Sequence, residues 1–375
     1  MPINFANRAE VIFEDGTKFV GSSWGAEGYA FGEGVFTTGM TGYQETITDP
    51  SYAGQILTFT TPHIGNTGLN LEDDESGRIW VSGLIVRDPS LESSSWRATT
   101  NLEERLKIDS VVGIKDVDTR AITQHLRHKG AMRIGIFSGE SMLLSEEEKL
   151  RKVQLSPSMV GANLSEIVST KKRYNYGKGL HKVAILDLGV KENTLKEFER
   201  VGFQSIVFPH NSSFEEIMQD SPDAFFISNG PGDPAAADGA VDLLQRVLSK
   251  RLPFFGICFG HQIFGRALGL NTTKLKFGHR GINQPVIDLQ TKRVSITAHN
   301  HGFAVDSADS FDTPYGLGRV THRCLNDDVV EGLALETQIA FSVQFHPEAA
   351  AGPHDSNSIF DQFANTVRSA GGKSA

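Results

Sequence analysis

The chain has two cysteines, and the surroundings of one of them suit a nucleophile. Cys258 stands between two glycines in GICFG, after the apolar run LPFFGI and before a stretch with helical periodicity. Glycines on both sides tolerate the strained turn of a nucleophile elbow, which presents a side chain between a strand and a helix. The helix start would favour thiolate over thiol by directing N–H groups at the sulfur. The alternative is a small buried hydrophobic residue, the commoner role of a lone cysteine and our interpretation of Cys324.

A base and a group to orient it follow in the stretch FHPE, at the end of the apolar run IAFSVQF. A thiol nucleophile needs a base to take its proton and a third group to hold that base. His346 and Glu348 are two residues apart and, in an extended segment, face the same side. The carboxylate can therefore hold one imidazole nitrogen and leave the other for the sulfur. His-Pro-Glu alone is more often a surface turn, but together with the elbow it predicts a triad of Cys258, His346 and Glu348.

Backbone N–H groups near the elbow could stabilise an oxyanion. One donor is the amide of Phe259, the residue after the nucleophile. A second could come from SNGPGDP, where Gly230 and Gly232 follow a neighbouring apolar run. By itself that stretch is equally well explained as an ordinary turn between a strand and a helix.

A pair of histidines in TAHNHGFAV has the H-x-H spacing of some zinc sites. These are His299 and His301. No third ligand group stands at a recognisable spacing from them, so the sequence predicts no metal in this chain.

The motifs lie in the second half of the chain, where apolar runs and helical patterns alternate. Strands such as KVAILDLG, FQSIVFP and DAFFISNG are separated by helices such as VKENTLKEFERVG and AAADGAVDLLQRVLSK. This alternation predicts, for residues 181–375, an α/β fold with a doubly wound, mostly parallel sheet covered on both faces. Ligands of such folds bind beyond the carboxyl ends of the strands, which is where Cys258 lies.

Residues 1–140 predict a smaller domain of mixed α and β structure. Short β-rich runs alternate with glycine turns, and DTRAITQHLRHKG predicts one helix, with Asp118 or Thr119 as its cap and Gly130 as its end. Residues 141–180 predict a helical segment followed by the linker TKKRYNYGKGLHK.

Composition narrows the class of partner. The 375 residues include 36 basic and 45 acidic side chains, a net charge of −9, which argues against nucleic acid or an anionic membrane as the main partner. No apolar run approaches the roughly 18 to 20 residues of a bilayer span, and the first residues do not predict a signal peptide. With so few cysteines, we expect a cytoplasmic protein with reduced thiols.

Three of the motifs, GICFGHQ, SNGPGDP and FHPE, together resemble the class I (triad) glutamine amidotransferases, which hydrolyse glutamine and pass ammonia to a synthase. Four further stretches resemble the small, glutamine-hydrolysing subunit of carbamoyl phosphate synthetase: TTGMTGYQETITDPSYAGQI (37–56), PHIGNTG (62–68), DVDTRAIT (116–123) and NHGFAV (300–305). This resemblance covers nearly the whole chain, including a first domain that other amidotransferases lack.

The resemblance implies a role for each motif residue. Cys258 would be the nucleophile, His346 the general acid and base, and Glu348 its orienter. The amides of Gly230 and Phe259 would form the oxyanion hole. Residues implied in binding glutamine are Ser51, Gly230, Gly232, Phe259, Gln262, Asn300, Gly302 and Phe303. Lys191 is a further candidate, for which a solvated lysine at a helix start is the alternative.

Two residues depart from the family pattern. Phe259 is often leucine there, and His299 is often glutamine. A main-chain donor tolerates Phe259, whereas His299 alters one expected contact with glutamine.

The same resemblance implies a large synthetase subunit as partner, in a heterodimer or a higher assembly, with glutamine as substrate. No phosphate loop is present, so no cofactor is expected in this chain, and ATP with a divalent metal is expected on the partner. The product would enter arginine or pyrimidine synthesis. Alternatives are an amidotransferase subunit of another synthase, a free γ-glutamyl hydrolase, or a non-catalytic assembly subunit.

Overall fold

The computed structural model describes residues 7–371. These residues form two compact units. The first comprises the described residues up to Ala162 together with Lys276–Arg280, and the second comprises Asn163–Leu275 and the described residues from Gly281 onward.

The first unit is built on a β-barrel. Its strands are β1 (Arg8–Phe13), β2 (Lys18–Gly25), β3 (Tyr29–Thr37), β4 (Gln55–Phe59), β5 (His63–Ile64), β6 (Gly83–Ile85), β7 (Asp88–Pro89), β8 (Val112–Lys115) and β9 (Met132–Ser138). Its helices are α1 (Tyr43–Thr48), α2 (Leu102–Ile108), α3 (Thr119–Lys129) and α4 (Glu146–Leu155). The barrel closes in the order β1-β2-β8-β6-β4-β3-β9, and β5 pairs separately with β7.

Helix α3 begins and ends where its sequence predicts. The side chain of Asp118 accepts a hydrogen bond from the Ala121 amide, which satisfies one of the N–H groups at the helix start. Gly130 ends the helix with φ of 103°, a backbone conformation that favours glycine. Ile122 and Leu126, four residues apart, are buried against the barrel, as an amphipathic helix requires.

Residues 141–180, predicted as a helical segment and linker, are divided between the units. Helix α4 packs on β1 and β9, and Lys149 forms a buried ion pair with Glu10 at 2.9 Å. The basic stretch after it contains a strand of the second unit, β10 (Tyr174–Tyr176), which pairs with a neighbouring strand. Most of this segment is therefore part of one unit or the other.

The second unit contains one large sheet flanked by helices. Its strands are β10, β11 (His181–Leu186), β12 (Phe203–Phe208), β13 (Ala224–Ile227), β14 (Phe254–Ile257), β15 (Asn271–Asp288), β16 (Val294–Asp306), β17 (Ser310–Thr313), β18 (Gly316–Cys324), β19 (Val330–Leu335) and β20 (Ala340–Val343). Its helices are α5 (Ser165–Val168), α6 (Glu192–Arg200), α7 (Phe214–Gln219), α8 (Asp238–Ser249), α9 (Phe259–Ala267) and α10 (Ser358–Gly371).

The strand order is β10-β12-β11-β13-β14-β20-β19-β18-β15-β16. Neighbouring strands are parallel from β12 through to β20, whereas the pairs β10–β12, β20–β19, β19–β18 and β18–β15 are antiparallel. The predicted doubly wound parallel sheet is confirmed. The antiparallel extension was not predicted.

Both faces of the parallel strands are buried, because successive side chains alternate between two apolar cores. On β14, Phe254 packs in the core beneath α8 and α9, and Phe255 packs in the core beneath α6 and α10. Both rings are fully buried. Burying such a ring contributes about 1.5 to 3 kcal/mol, which is why strands of this kind are continuous apolar runs.

No helix among residues 7–371 is both long and apolar enough to cross a membrane.

Helix α9 starts close to strand β13, and a glycine makes this approach possible. A Cβ atom on Gly260 would lie 2.2 Å from the Ile227 carbonyl oxygen, far inside van der Waals contact. The backbone amide of Gly260 donates to the Ser228 carbonyl at 3.1 Å, so the helix is bonded to the chain that follows β13.

Gly260→Ala should lower the free energy of unfolding by about 1 to 3 kcal/mol, because the new methyl group pushes α9 away from β13. The matched control is Gly239→Ala, at the second residue of α8, where a Cβ atom meets nothing within 4 Å. For Gly239→Ala we expect the free energy of unfolding to be unchanged or to rise by up to about 1 kcal/mol. Urea unfolding of both variants measures the difference, and equal stabilities would contradict this account of Gly260.

Candidate active site

Cys258 occupies the turn between β14 and α9. Its φ of 55° and ψ of −101° lie in a region that residues with a Cβ atom rarely adopt. The turn is fastened to the sheet, since the Cys258 amide donates to the carbonyl oxygen of Val343 on β20 at 2.9 Å. A strained residue held by its surroundings is typical of a nucleophile elbow.

Gly256, which precedes Cys258 in the GICFG stretch, is required for a steric reason. A Cβ atom on Gly256 would lie 2.8 Å from the Gly260 carbonyl oxygen. With Gly260 packed against β13, both glycines of the GICFG stretch are required by close backbone contacts.

The thiol of Cys258 is almost completely buried, with 2% of the residue exposed. Its Sγ atom donates to the backbone carbonyl of Asn300, on β16, at 3.6 Å. Cys258 also stands at the N-cap position of α9, where the first backbone N–H groups have no partner within the helix. These N–H groups and the helix dipole favour a negative charge on the sulfur.

The His-Pro-Glu stretch follows the neighbouring parallel strand. Ile257 at the end of β14 pairs with Val343 at the end of β20, so Cys258 and His346 both follow the carboxyl ends of adjacent strands. The Nδ1 atom of His346 lies 2.7 Å from Oε1 of Glu348. A carboxylate at this distance places the imidazole proton on Nδ1, which leaves a lone pair on Nε2.

The Nε2 atom of His346 is buried and has no hydrogen-bond partner among residues 7–371. In a neutral imidazole this nitrogen can accept a proton. The geometry therefore provides an oriented base whose reactive nitrogen is not engaged by the protein.

Glu348 is fully buried, and Lys191 and His346 compensate the charge of its carboxylate. Lys191, at the start of α6, places its Nζ atom 2.7 Å from the same Oε1 atom that faces His346. The side-chain amide of Asn193 donates to the backbone carbonyl of Glu348. Burial alone would raise the pKa of Glu348, but Lys191 and His346 together lower that pKa to about 2. The carboxylate is therefore ionised throughout the neutral range.

Helix α9 also carries His261, which is the first histidine after Cys258. Burial, with a smaller effect of His322, lowers the pKa of His261 to about 3. Its Nδ1 atom lies 2.9 Å from the Ser342 hydroxyl. His261 is thus neutral near pH 7 and serves in packing.

The backbone that follows β13 is closely packed, beyond the carboxyl end of that strand. A Cβ atom on Gly230 would lie 2.2 Å from the Leu188 carbonyl oxygen, so this position requires glycine. Gly232 has φ of 105° and forms a β-bridge with Asn163. Phe259 is the first residue of α9, so its amide is one of the N–H groups at the helix start.

Gln262 links three elements of the second unit. Its side-chain nitrogen donates to the Phe303 carbonyl at 2.9 Å and to the side-chain oxygen of Gln344 at 3.0 Å. Asn300, Gly302 and Phe303 all lie on β16. The structure therefore brings Gln262 together with part of the predicted substrate segment.

Ser51 lies in the first unit, in the short 3₁₀ turn Pro50–Tyr52. It is buried, and its amide donates to the side chain of Asp49 at 2.9 Å. Its role in binding the substrate stays a prediction.

Sequence reasoning missed one buried acidic residue, Glu331 on β19. Its carboxylate lies 3.6 Å from His299 and 3.7 Å from His301. The available signal was an acidic residue inside the otherwise apolar strand VEGLAL, since an acidic side chain is rarely fully buried without a compensating partner.

Comparison with known proteins matches both units of the chain. A family model for the small chain of carbamoyl-phosphate synthase, CPSase domain, matches residues 11–136, and one for class-I glutamine amidotransferase matches residues 184–366. Similar proteins from several bacteria carry the name carbamoyl phosphate synthase small chain. The protein from Corynebacterium diphtheriae is 52% identical over 369 residues, which cover 96% of this chain and 97% of the relative. Those from Streptomyces avermitilis and Streptomyces coelicolor are 55% and 54% identical over 364 residues, with 96% of each chain covered.

The ionisation of Glu348 should make stability depend on pH in a defined direction. Its folded-state pKa of about 2 is below the ordinary value of 4.5, so the carboxylate stabilises the folded chain above about pH 4.5. This contribution, about 3 kcal/mol, is lost as the pH falls from about 4.5 towards 2. Glu348→Gln should therefore lower the free energy of unfolding at neutral pH, and this deficit should shrink on acidification.

Urea unfolding from about pH 7 down to about pH 3 measures the deficit. The control is Glu336→Gln, an exposed glutamate just after β19. There the difference from the unsubstituted chain should be small and nearly constant. A Glu348→Gln deficit that does not change with pH would contradict the assigned ion pair.

Proposed function

Because this chain belongs to the carbamoyl phosphate synthase small-chain family, we propose that it hydrolyses glutamine through Cys258, His346 and Glu348 and delivers ammonia to a large synthetase chain. The observation that carries the proposal is the pairing of His346 with a buried, ionised Glu348 beside the elbow that holds Cys258. Matches to both family models favour this function over a subunit of another synthase or a free hydrolase.

The reaction begins with removal of the thiol proton by Nε2 of His346. The sulfur attacks the carboxamide carbon of glutamine and forms a tetrahedral adduct, whose negative oxygen is bound by backbone amides. We assign these donors to Phe259 and Gly230. Support comes from the position of Phe259 at the helix start and from the close packing that requires glycine at 230.

Collapse of the adduct releases ammonia and leaves a γ-glutamyl thioester on Cys258. His346 supplies the proton that the departing nitrogen takes up. It then removes a proton from water, which attacks the thioester and restores the thiol. The sum is glutamine and water converted to glutamate and ammonia.

Lys191 and Glu348 act through the imidazole and do not touch the reacting atoms. The ammonium group keeps Glu348 charged, and the carboxylate holds the Nδ1 proton of His346. When His346 becomes an imidazolium during the reaction, the same carboxylate stabilises its positive charge.

The substrate contacts remain assigned by family resemblance. They are Ser51, Gly230, Gly232, Phe259, Gln262, Asn300, Gly302 and Phe303. The bond from Gln262 to the Phe303 carbonyl supports a shared role for α9 and β16 in shaping the pocket.

The partner and the location follow from the family. Relatives named as a small chain point to a large chain, which would bind ATP and a divalent metal and use the ammonia to make carbamoyl phosphate for arginine or pyrimidine synthesis. We place the protein in the cytoplasm, a proposal supported by Cys258 and Cys324, neither of which forms a disulfide.

Replacing the nucleophile should separate the two half-reactions. Cys258→Ser should abolish glutamine-dependent synthesis of carbamoyl phosphate, because the hydroxyl has a far higher pKa than the thiol and yields almost no anion. The large chain is unchanged, so the mutant complex should still use ammonium salt. Both activities are measured on one preparation of the complex.

The control is Cys324→Ser. Cys324 is buried, and burial raises the pKa of its thiol to about 12, so it should play no part in the reaction. Cys324→Ser should retain glutamine-dependent synthesis. If Cys258→Ser keeps both glutamine-dependent and ammonium-dependent synthesis, Cys258 is not the nucleophile. If an intact complex loses both activities, this chain does more than supply ammonia.

A further inference from the structure

The second unit contains a cluster of buried ionisable side chains that the glutamine reaction does not use. His299 and His301 lie on β16, and Glu331 lies on the antiparallel strand β19. At most 1% of any of these side chains is exposed. A carboxylate buried to this degree requires positive charge beside it.

Three ligand atoms of the cluster converge on one point. Nδ1 of His299 and Nε2 of His301 are 3.2 Å apart, and Oε1 of Glu331 lies 3.6 Å from the first and 3.7 Å from the second. Ligand atoms about 2.0 to 2.2 Å from a tetrahedral zinc ion are separated from each other by about 3.3 to 3.6 Å. The three atoms already have nearly this spacing.

The tautomer of His301 is fixed by the ring nitrogen that does not face Glu331, which is Nδ1. Nδ1 lies 2.9 Å from the Phe303 carbonyl oxygen, which can only accept a hydrogen bond. The proton of the neutral ring is therefore on Nδ1, and Nε2 directs a lone pair at Glu331 and His299.

The tautomer of His299 is fixed in the same way, through the hydrogen bond of its Nε2 atom to the Thr297 hydroxyl. Thr297 donates its single hydroxyl hydrogen to the Gln284 carbonyl at 2.8 Å, so its oxygen must accept from Nε2 of His299 at 2.7 Å. The lone pair of His299 is then on Nδ1. Two lone pairs and a carboxylate oxygen thus face one another, which is the arrangement of donor atoms that a metal ion binds.

We propose that His299, His301 and Glu331 bind a divalent zinc-class metal ion, with the remaining coordination position taken by another donor. Two imidazoles and a carboxylate form a common zinc donor set, whereas magnesium and calcium prefer oxygen ligands alone. The hydrogen bonds to Thr297 and to the Phe303 carbonyl fix the orientation of both rings, as hydrogen bonds to the far nitrogen of metal-binding histidines do.

The ion would join β16 to β19 beside the segment that carries Asn300. The Asn300 carbonyl accepts the hydrogen bond from the Cys258 thiol, so the metal would hold this carbonyl in register with the nucleophile. Its role is thus positional. The assignment depends only on the cluster and does not require the proposed glutamine reaction.

Zinc binding can be measured directly on the full chain. Because a reactive thiol can also bind zinc, the titration is made with Cys258→Ala, after chelator treatment and in competition with a chromophoric chelator. We expect one equivalent of zinc per chain. Glu331→Gln and His299→Gln, each added to Cys258→Ala, should weaken this binding by at least about tenfold.

A surface histidine and carboxylate pair provides the matched control. His63 and Asp88 are both exposed, with Nδ1 and Oδ2 3.1 Å apart, and His63→Gln should leave zinc binding unchanged. If there is no stoichiometric zinc site, or if neither cluster variant weakens zinc binding, the proposal is wrong.

A second measurement avoids dependence on variants that fail to fold. X-ray absorption of zinc bound to the otherwise unchanged Cys258→Ala chain should show nitrogen and oxygen ligands with scattering from at least two imidazoles. Oxygen ligands alone, or a single imidazole, would overturn the proposal.

Discussion

The buried negative charge of Glu348 is the constraint on which the active site depends. Removing a carboxylate from water costs several kcal/mol, and only close cations or hydrogen bonds offset that cost. Lys191 supplies a permanent positive charge from the start of α6, and His346 supplies a hydrogen bond from the segment after β20. One side chain thus ties a helix start to a strand end and, in doing so, decides which nitrogen of His346 is basic.

A second buried glutamate, Glu331, also faces imidazole nitrogens, those of His299 and His301, which carry charge only when they bind a proton or help to bind a metal. For Glu348 the ammonium group of Lys191 supplies a positive charge in addition to the imidazole. Glu348 is compensated whatever the state of His346. In the proposed reaction, that independence would allow His346 to gain and lose a proton without leaving Glu348 uncompensated.

The sequence was informative wherever the chemistry is local along the chain. GICFG predicts the elbow because its glycines meet nearby backbone, and continuous apolar runs predict parallel strands buried on both faces. Contacts between distant positions left no such pattern. The pairing of Lys191 with Glu348, the closure of the barrel, and the antiparallel strands β15 to β19 depend on tertiary packing. For the same reason His299 and His301 had no visible third partner, since Glu331 reaches them only through the pairing of the sheet.

The closed barrel of the first unit has a consequence for how it can be recognised. Each barrel strand is hydrogen-bonded on both sides, so the barrel offers no strand edge to which an incoming chain could add a strand. A protein that binds the barrel wall must therefore contact side chains and loops. Because these differ between proteins, such contacts make the surface specific for one partner. Closure also protects the barrel strands from edge-to-edge aggregation.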